Sequence, residues 1–582
     1  AVELTLSECD SLGLRAEDQG GSMMLIPASP AAPGREEAEV LADRLASFNL
    51  TRATALIEAG NFPEAVQAAI AAMAWLSMDE NDEETGSAYH YALGRALEGL
   101  GRYDEALEGY LKAVMVGGRQ NRWPARADTA LRRVFSREGA AAKEPEEDGR
   151  LLAGSKEANS GVSLEEFARS HVGYHGPVFT DVTTEAGLGG QRESRLAWGD
   201  FDRDGFDDLL LAGRVLMRNT GLGTFEDVTD LAGIGGTGTN GGVWADVDND
   251  GDLDFYATSG ATSGERTDRL WINLGNGTFG DRTEAAGGMT DLYTTEGAAW
   301  GDYDGDGFVD LYLASYERPR TEDFNEYGVG FPDILYRNLG DGTFADVTEE
   351  AGVEPPFAEH LSGRGVNWGD YDNDGDPDVF VSNYRLQENF LWRNEGDGTF
   401  TNSAPGLGVS GTETDGWWGH TIGSEWGDFD NDGDLDLMCA NLAHPRYIEV
   451  SDMSMLLENG GPPDWLFADR RAETGVKYAE THSDPSWGDV DADGDLDLFI
   501  TSIYRNCGSF LYLNDGRGRF RDVTWLAGVR CFNGWGCAMS DYDNDGDLDI
   551  AVGSGSGFRL FRNDGLRGRP SNHWLEVDVR GR

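Results

Sequence analysis

One nine-residue pattern, Asp-x-Asp-x-Asp-Gly-x-x-Asp, recurs seven times between Asp200 and Asp549 and governs everything else that this chain can fold into. The copies begin at Asp200, Asp246, Asp302, Asp370, Asp428, Asp489 and Asp541, spaced 46 to 68 residues apart, room for four short strands and variable loops. In a tight loop, carboxylates at positions one, three and five converge on one point, and glycine at six permits the bend. The carbonyl at seven and the aspartate at nine complete an all-oxygen shell, which favours calcium over zinc or copper. The candidate metal ligands are therefore Asp200, Asp202, Asp204 and Asp208 in the first copy, and Asp246, Asp248, Asp250 and Asp254 in the second. Next come Asp302, Asp304, Asp306 and Asp310, then Asp370, Asp372, Asp374 and Asp378. The last three sets are Asp428, Asp430, Asp432 and Asp436; Asp489, Asp491, Asp493 and Asp497; and Asp541, Asp543, Asp545 and Asp549. About seven Ca2+ ions are expected, one per copy. An EF-hand is excluded: no bidentate glutamate follows at position twelve, and Asp208-Leu209-Leu210-Leu211 reads as a buried strand.

A second repeat alternates with the first. Leu216-Met217-Arg218-Asn219 runs through a glycine-rich turn to Phe225-Glu226-Asp227-Val228-Thr229, and close copies start at Leu335 and Leu511. Strand, turn and strand make a hairpin. Leu560-Phe561-Arg562-Asn563 is a first half without its second, and Val178-Phe179-Thr180-Asp181-Val182-Thr183 is a second half without its first. Joining them closes a ring and removes the free strand edges. The fold class expected is mainly β: a seven-bladed calcium-binding propeller preceded by an α-helical domain. The aromatic residue two places before each loop (Trp198, Trp244, Trp300, Trp368, Trp426 and Trp487, with Met539 in the seventh copy) is expected to pack between blades.

These motifs resemble the FG-GAP, or VCBS, repeat known from the calcium-dependent propeller of integrin α-subunits and from many bacterial surface proteins. The resemblance covers residues 177–565. Ser571-Asn572-His573-Trp574-Leu575-Glu576 further resembles the opening strand of the ASPIC/UnbV domain, which follows FG-GAP repeats in the cartilage acidic protein-like family. The resemblance implies an extracellular, secreted or cell-surface interaction module, with many bacterial members carrying tetratricopeptide repeats in front.

Ahead of the propeller, residues 1–36 read as an extended segment, with Val2, Leu4 and Leu6 alternating with polar residues and Pro27, Pro30 and Pro33 opposing a helix. Residues 37–139 carry helical periodicity. Gly60-Asn61-Phe62-Pro63-Glu64-Ala65 and Gly101-Arg102-Tyr103-Asp104-Glu105-Ala106 mark two similar helical hairpins, and Gly94, Ala106, Tyr110 and Ala113 fall where a tetratricopeptide repeat places its packing residues. Residues 140–176 read as a linker, 177–565 as the propeller and 566–582 as the start of a C-terminal segment.

Charge narrows the partners. Lys and Arg total 46 against 105 Asp and Glu, a net charge of −59 that repels nucleic acid and anionic lipid. No apolar run reaches the ~18 residues of a membrane span, and the opening Ala1-Val2-Glu3-Leu4 suits an exported chain whose signal has been removed. Of the five cysteines, Cys531 flanks a turn with Cys537, and Cys507 competes as a disulfide partner. The eight histidines are scattered, and no nucleophile elbow or P-loop is present, so the reading is a non-enzymatic binding, adhesion or structural module. A protein or glycan partner is expected. So is self-assembly into a surface fibre or layer, by strand addition through the N-terminal segment. The alternative is a polysaccharide lyase or hydrolase using a propeller cleft. It calls for a non-repeating cluster of Arg, Lys, His and Tyr, sought first around the long insertion 317–333.

Overall fold

A computed structural model describes residues 174–566, apart from 236–239, 261–267, 288, 290–292, 317–329, 354–360, 444–450, 472, 479 and 505–506. Nearer the N-terminus it describes 14–19, 22–27, 53–57, 61, 65, 69, 83–99 and 109–110. The chain divides into two units, residues 1–174 and 175–582.

The second unit contains seven four-stranded antiparallel sheets, one for each copy of the loop. Blade one shows the plan: Leu196–Gly199, Asp208–Leu211, Val215–Asn219 and Phe225–Asp227 pair in sequence order. The acidic loop joins the first two strands, and the second repeat supplies the last two. The second strand is buried along its whole length, which is why Leu209-Leu210-Leu211 and its counterparts are continuously apolar rather than alternating.

Blade seven is assembled from both ends of the unit. Gly534–Ser540, Asp549–Ser554 and Arg559–Leu566 are completed by Pro177–Asp181, with Phe179 opposite Asn563 and Asp181 opposite Phe561. The split hairpin therefore closes the ring as its sequence requires. Even its side-chain bonding matches an unsplit blade: the Thr183 hydroxyl accepts from the Leu560 amide at 2.9 Å, as Thr229 accepts from Leu216 at 3.0 Å and Thr348 from Leu335 at 3.0 Å.

The tryptophan before each loop packs against the preceding blade, as expected. Trp198 stacks on Tyr542 with centroids 6.3 Å apart, and Trp487 on Phe429 at 6.4 Å. Indole N–H groups other than that of Trp426 also reach back across the junction, Trp300 to the Val243 carbonyl at 3.2 Å and Trp368 to that of Ala299 at 3.1 Å. In blades one, three, four and five the residue after the tryptophan is a glycine that makes room for the next tryptophan, whereas blade two has Ala245 there. A Cβ on Gly301 would stand 2.6 Å from the Trp368 ring, and one on Gly369 2.8 Å from that of Trp426.

In the first unit, Leu14–Gln19 and Ser22–Pro27 form an antiparallel hairpin. The expected strand at Val2–Leu6 lies outside the described residues. Glu83–Gly99 is a helix carrying Gly94, and Ala53, Ala69 and Ala92 form a small buried cluster. Tyr110 is wholly buried and meets the Tyr91 ring at 5.7 Å. Ala106, Ala113 and most of the two similar hairpins lie outside the described residues.

Replacing Gly301 by alanine should drive Cβ into the Trp368 ring and cost about 1–3 kcal/mol. Urea denaturation in the presence of divalent cation measures it; an unchanged midpoint would show that the blade junction has slack.

Candidate metal centres

Each loop is pinned by its first and ninth aspartates. The first accepts from the amides of residues five and six: Asp200 Oδ1 from Asp204 N at 3.1 Å and Asp200 Oδ2 from Gly205 N at 2.9 Å. Gly205 has φ +87, a left-handed conformation that favours the glycine of the motif. The ninth is wholly buried and joins loop to hairpin, Asp208 Oδ2 accepting from Phe201 N at 3.2 Å and Oδ1 from Asn219 N at 2.7 Å. The same bonds recur from Asp254 to Asp497. In the seventh loop Asp549 keeps only the hairpin bond, at 2.7 Å. The fifth aspartate accepts from the amide of residue seven, as Asp204 does from Phe206 at 3.0 Å.

The third aspartate is different. Asp202, Asp372, Asp430 and Asp543 each bury Oδ1 with no hydrogen-bond partner. Carboxylate oxygens of Asp200, Asp202 and Asp208 lie within 4.8 Å of one another, as do those of Asp246, Asp248 and Asp250, and of Asp428, Asp430 and Asp436. Asp302, Asp304 and Asp306, and Asp370, Asp372 and Asp374, make the same convergence in their blades. Converging anionic oxygens with a buried orphan among them fit a hard cation, since leaving such an atom unpaired costs about 1–3 kcal/mol or more. Without a cation, burial and then the neighbouring aspartates push the carboxyls up. Asp208, Asp254, Asp310, Asp378, Asp436 and Asp497 rise to about 8, and Asp549 to about 9.

The loops are not electrically equal, a feature that the motif alone hides. The third-strand residue just before the hairpin asparagine faces the carboxylates. In blade three it is Arg337, which pairs with Asp304 at 2.6 Å and lies 3.6 Å from Asp306. That arginine is an internal counter-ion that a reading of the loop by itself does not supply. Arg218, Arg393 and Arg562 occupy the same position in blades one, four and seven and partly offset the rise at Asp202, Asp372 and Asp543. In blade five the residue is Glu458, which adds to the rise at Asp430.

The first strands of the blades bring together a non-repeating group near the propeller axis. The Glu296 carboxylate accepts from Arg195, from Asn240 at 3.0 Å and from Arg364 at 3.2 Å. Burial opposes its charge, yet Arg364 and Arg195 hold the carboxyl down to about 2. The Arg364 guanidinium lies 5.3 Å from the Tyr316 ring centroid, 5.1 Å from Tyr384 and 5.9 Å from Trp535. Asp333, at the end of the long insertion, is a buried acceptor for Ser315 N at 2.8 Å and the Tyr312 hydroxyl at 3.0 Å. Among the described residues, Cys439, Cys531 and Cys537 carry buried free thiols.

Fold and loops together define a closed repeat propeller with one acidic loop in every blade. The repeats are FG-GAP-like: that family matches residues 200–257, 259–313, 332–381, 370–439 and 489–552. Among curated proteins the chain is similar to cartilage acidic protein 1. It is 27% identical to the Homo sapiens protein over 359 residues, 57% of this chain and 49% of that one. It is 28% identical to the Mus musculus protein over 366 residues, 57% of this chain and 50% of that one. The chain thus spans about half the length of these relatives. Among solved structures, an Agrocybe aegerita lectin specific for non-reducing terminal N-acetylglucosamine aligns over 67% of this chain and 93% of its own, with 16% identity and a TM-score of 0.36. The biofilm matrix protein of V. cholerae aligns over 64% of this chain and 77% of its own, with 11% identity and a TM-score of 0.29.

In metal-free protein the buried ninth aspartates hold protons that the unfolded chain has released. That stabilisation is complete below about pH 4 and is lost as pH rises through about 8. The melting temperature in chelator should therefore fall between about pH 5 and about pH 8, and divalent cation should flatten the slope. A rise over this interval in chelator would contradict the assignment.

Proposed function

We propose that the chain is an extracellular calcium-binding propeller that acts as a protein- or glycan-interaction module, with one ion in each of the seven acidic loops. The observation that carries this reading is the buried, unpartnered oxygen of the third aspartate, repeated in loops whose other carboxylates are already braced. In each loop the aspartates at positions one, three, five and nine would hold the ion, which supplies positive charge and no chemistry. The FG-GAP-like repeats and the similarity to cartilage acidic protein 1 support the module reading. No described helix is long and apolar enough to cross a membrane. The axial group is the place where an enzymatic reading would start, but Glu296 is already bound by Arg364, Arg195 and Asn240, so we favour binding over catalysis.

Calcium at extracellular concentration should be part of the fold. A site with a dissociation constant of about 0.1–1 mM adds roughly 0.4–1.4 kcal/mol at about 1 mM calcium. Seven such sites give roughly 3–10 kcal/mol, comparable to the net stability of a domain. Chelation should lower the melting temperature sharply; equal midpoints with and without chelator would refute calcium binding.

Adhesion and self-assembly extend this reading. The two-stranded sheet of Leu14–Gln19 and Ser22–Pro27 has two edges, and so small a sheet gains from strand addition. The tetratricopeptide-like domain in front would be a second interaction surface. Deleting residues 1–27 should reduce particle mass in calcium by light scattering. Equal masses for the deleted and full-length proteins would exclude assembly through this segment.

A further inference from the structure

We infer that the fourth residue of each loop is a positioning residue for the metal centre of the next blade, and that it divides the seven centres into two coupled groups. This rests on the metal reading above. The fourth residue is itself no ligand in that reading, and it adopts a left-handed conformation in every loop: φ is +58 at Arg203, +57 at Asn249, +67 at Gly305, +52 at Asn373, +62 at Asn431, +54 at Ala492 and +57 at Asn544.

That conformation sends the side chain to the neighbouring loop. Asn373 Nδ2 donates to Asp434 Oδ1 of blade five at 2.8 Å, and Asn431 Nδ2 to Asp495 Oδ1 of blade six at 2.8 Å. Arg203 Nε pairs with Asp252 Oδ1 of blade two at 2.9 Å. Each acceptor is residue seven of its loop. Where residue seven is phenylalanine, the donor takes the carbonyl of residue six instead: Asn249 reaches Gly307 at 2.9 Å and Asn544 reaches Gly205 at 2.7 Å. Residues six and seven are also the amides that orient the first and fifth aspartates. Gly494 N donates to Asp489 Oδ2 and Asp495 N to Asp493 Oδ1, at 3.0 and 3.1 Å. A donor from one loop thus holds the segment that sets two ligands of the next.

The chain of contacts has two gaps. Gly305 and Ala492 carry no side-chain donor, so nothing of this kind runs from blade three to four or from six to seven. One coupled group is blades seven, one, two and three; the other is blades four, five and six. Cation binding at one centre orders its loop and, through residue four, its neighbour within the group. Coupling between binding sites is reciprocal, so direction around the ring does not matter.

The test is a set of double-mutant cycles on the full chain, read as calcium-dependent melting temperature and as the steepness of calorimetric calcium titrations. Asp430→Ala with Asp491→Ala, in blades five and six, should be non-additive by the equivalent of about three- to tenfold in calcium affinity. Asp491→Ala with Asp543→Ala, in blades six and seven, should be additive, as should Asp202→Ala with Asp430→Ala in blades one and five. Asn431→Ala should abolish the first coupling, whereas Ala492→Asn, at an exposed site whose left-handed backbone suits asparagine, should create the second. Should the aspartate variants fail to fold, the two surface variants suffice: Asn431→Ala lowers and Ala492→Asn raises the steepness. A purely structural residue would instead shift melting equally with and without calcium. Equal coupling across both junctions, coupling across neither, or unchanged steepness in both surface variants overturns the proposal. Native mass spectrometry showing no bound calcium in the unaltered protein would instead overturn the metal reading itself.

Discussion

The buried ninth aspartate is the constraint on which the propeller depends. In six loops its two oxygens accept amides from the second loop residue and from the hairpin asparagine. One carboxylate thereby joins the acidic loop, the start of the second strand and the end of the third. Such a group is costly to bury with its charge. Its site becomes favourable with a proton or with a cation held by the other carboxylates. In the proposed metal reading, folding and cation binding are linked in the same side chain.

Blades are joined by contacts that repeat with the sequence. Besides the tryptophan and its glycine, the hairpin asparagine reaches back in every blade. Asn219 Nδ2 donates to the Tyr542 carbonyl at 2.8 Å, Asn394 to that of Tyr303 at 2.8 Å and Asn514 to that of Phe429 at 2.7 Å. The acceptor is always residue two of the preceding acidic loop. One asparagine therefore braces its own blade through its amide and the neighbouring loop through its side chain. The glycine-rich turn opened by asparagine and the acidic motif, separate in the sequence, act as one device.

Departures from the repeat carry the individuality of the molecule. Glu296, Arg364 and Arg195 stand at the beginnings of first strands, at positions whose residue type does not repeat from blade to blade, and they fill part of the axis with an ion-paired group. A largely buried arginine tolerates this place because Glu296 pairs with it and three aromatic rings lie around it. Arg337 and Glu458 likewise give opposite electrical settings to two loops with identical ligand aspartates.

The periodicity of the chain was enough to specify the blade count, the closure through residues 177–181 and the packing of the tryptophans between blades. Each follows from local rules: four carboxylates around one glycine bend, a turn between two strands, and edges that must be paired. The convergence of three carboxylates in a loop was legible for the same reason, since a nine-residue loop determines its own geometry. What lies beyond the loop itself was not legible. The contacts of Arg337 with Asp304, of Asn431 with Asp495 and of Arg364 with Glu296 span 33, 64 and 68 residues. The first exists because the hairpin folds its third strand back beside its own loop, and the other two because ring closure sets the angle between adjacent blades. Spacing within a loop is fixed by covalent geometry, but the electrostatics between loops depends on which side chains the closed ring brings within hydrogen-bond reach.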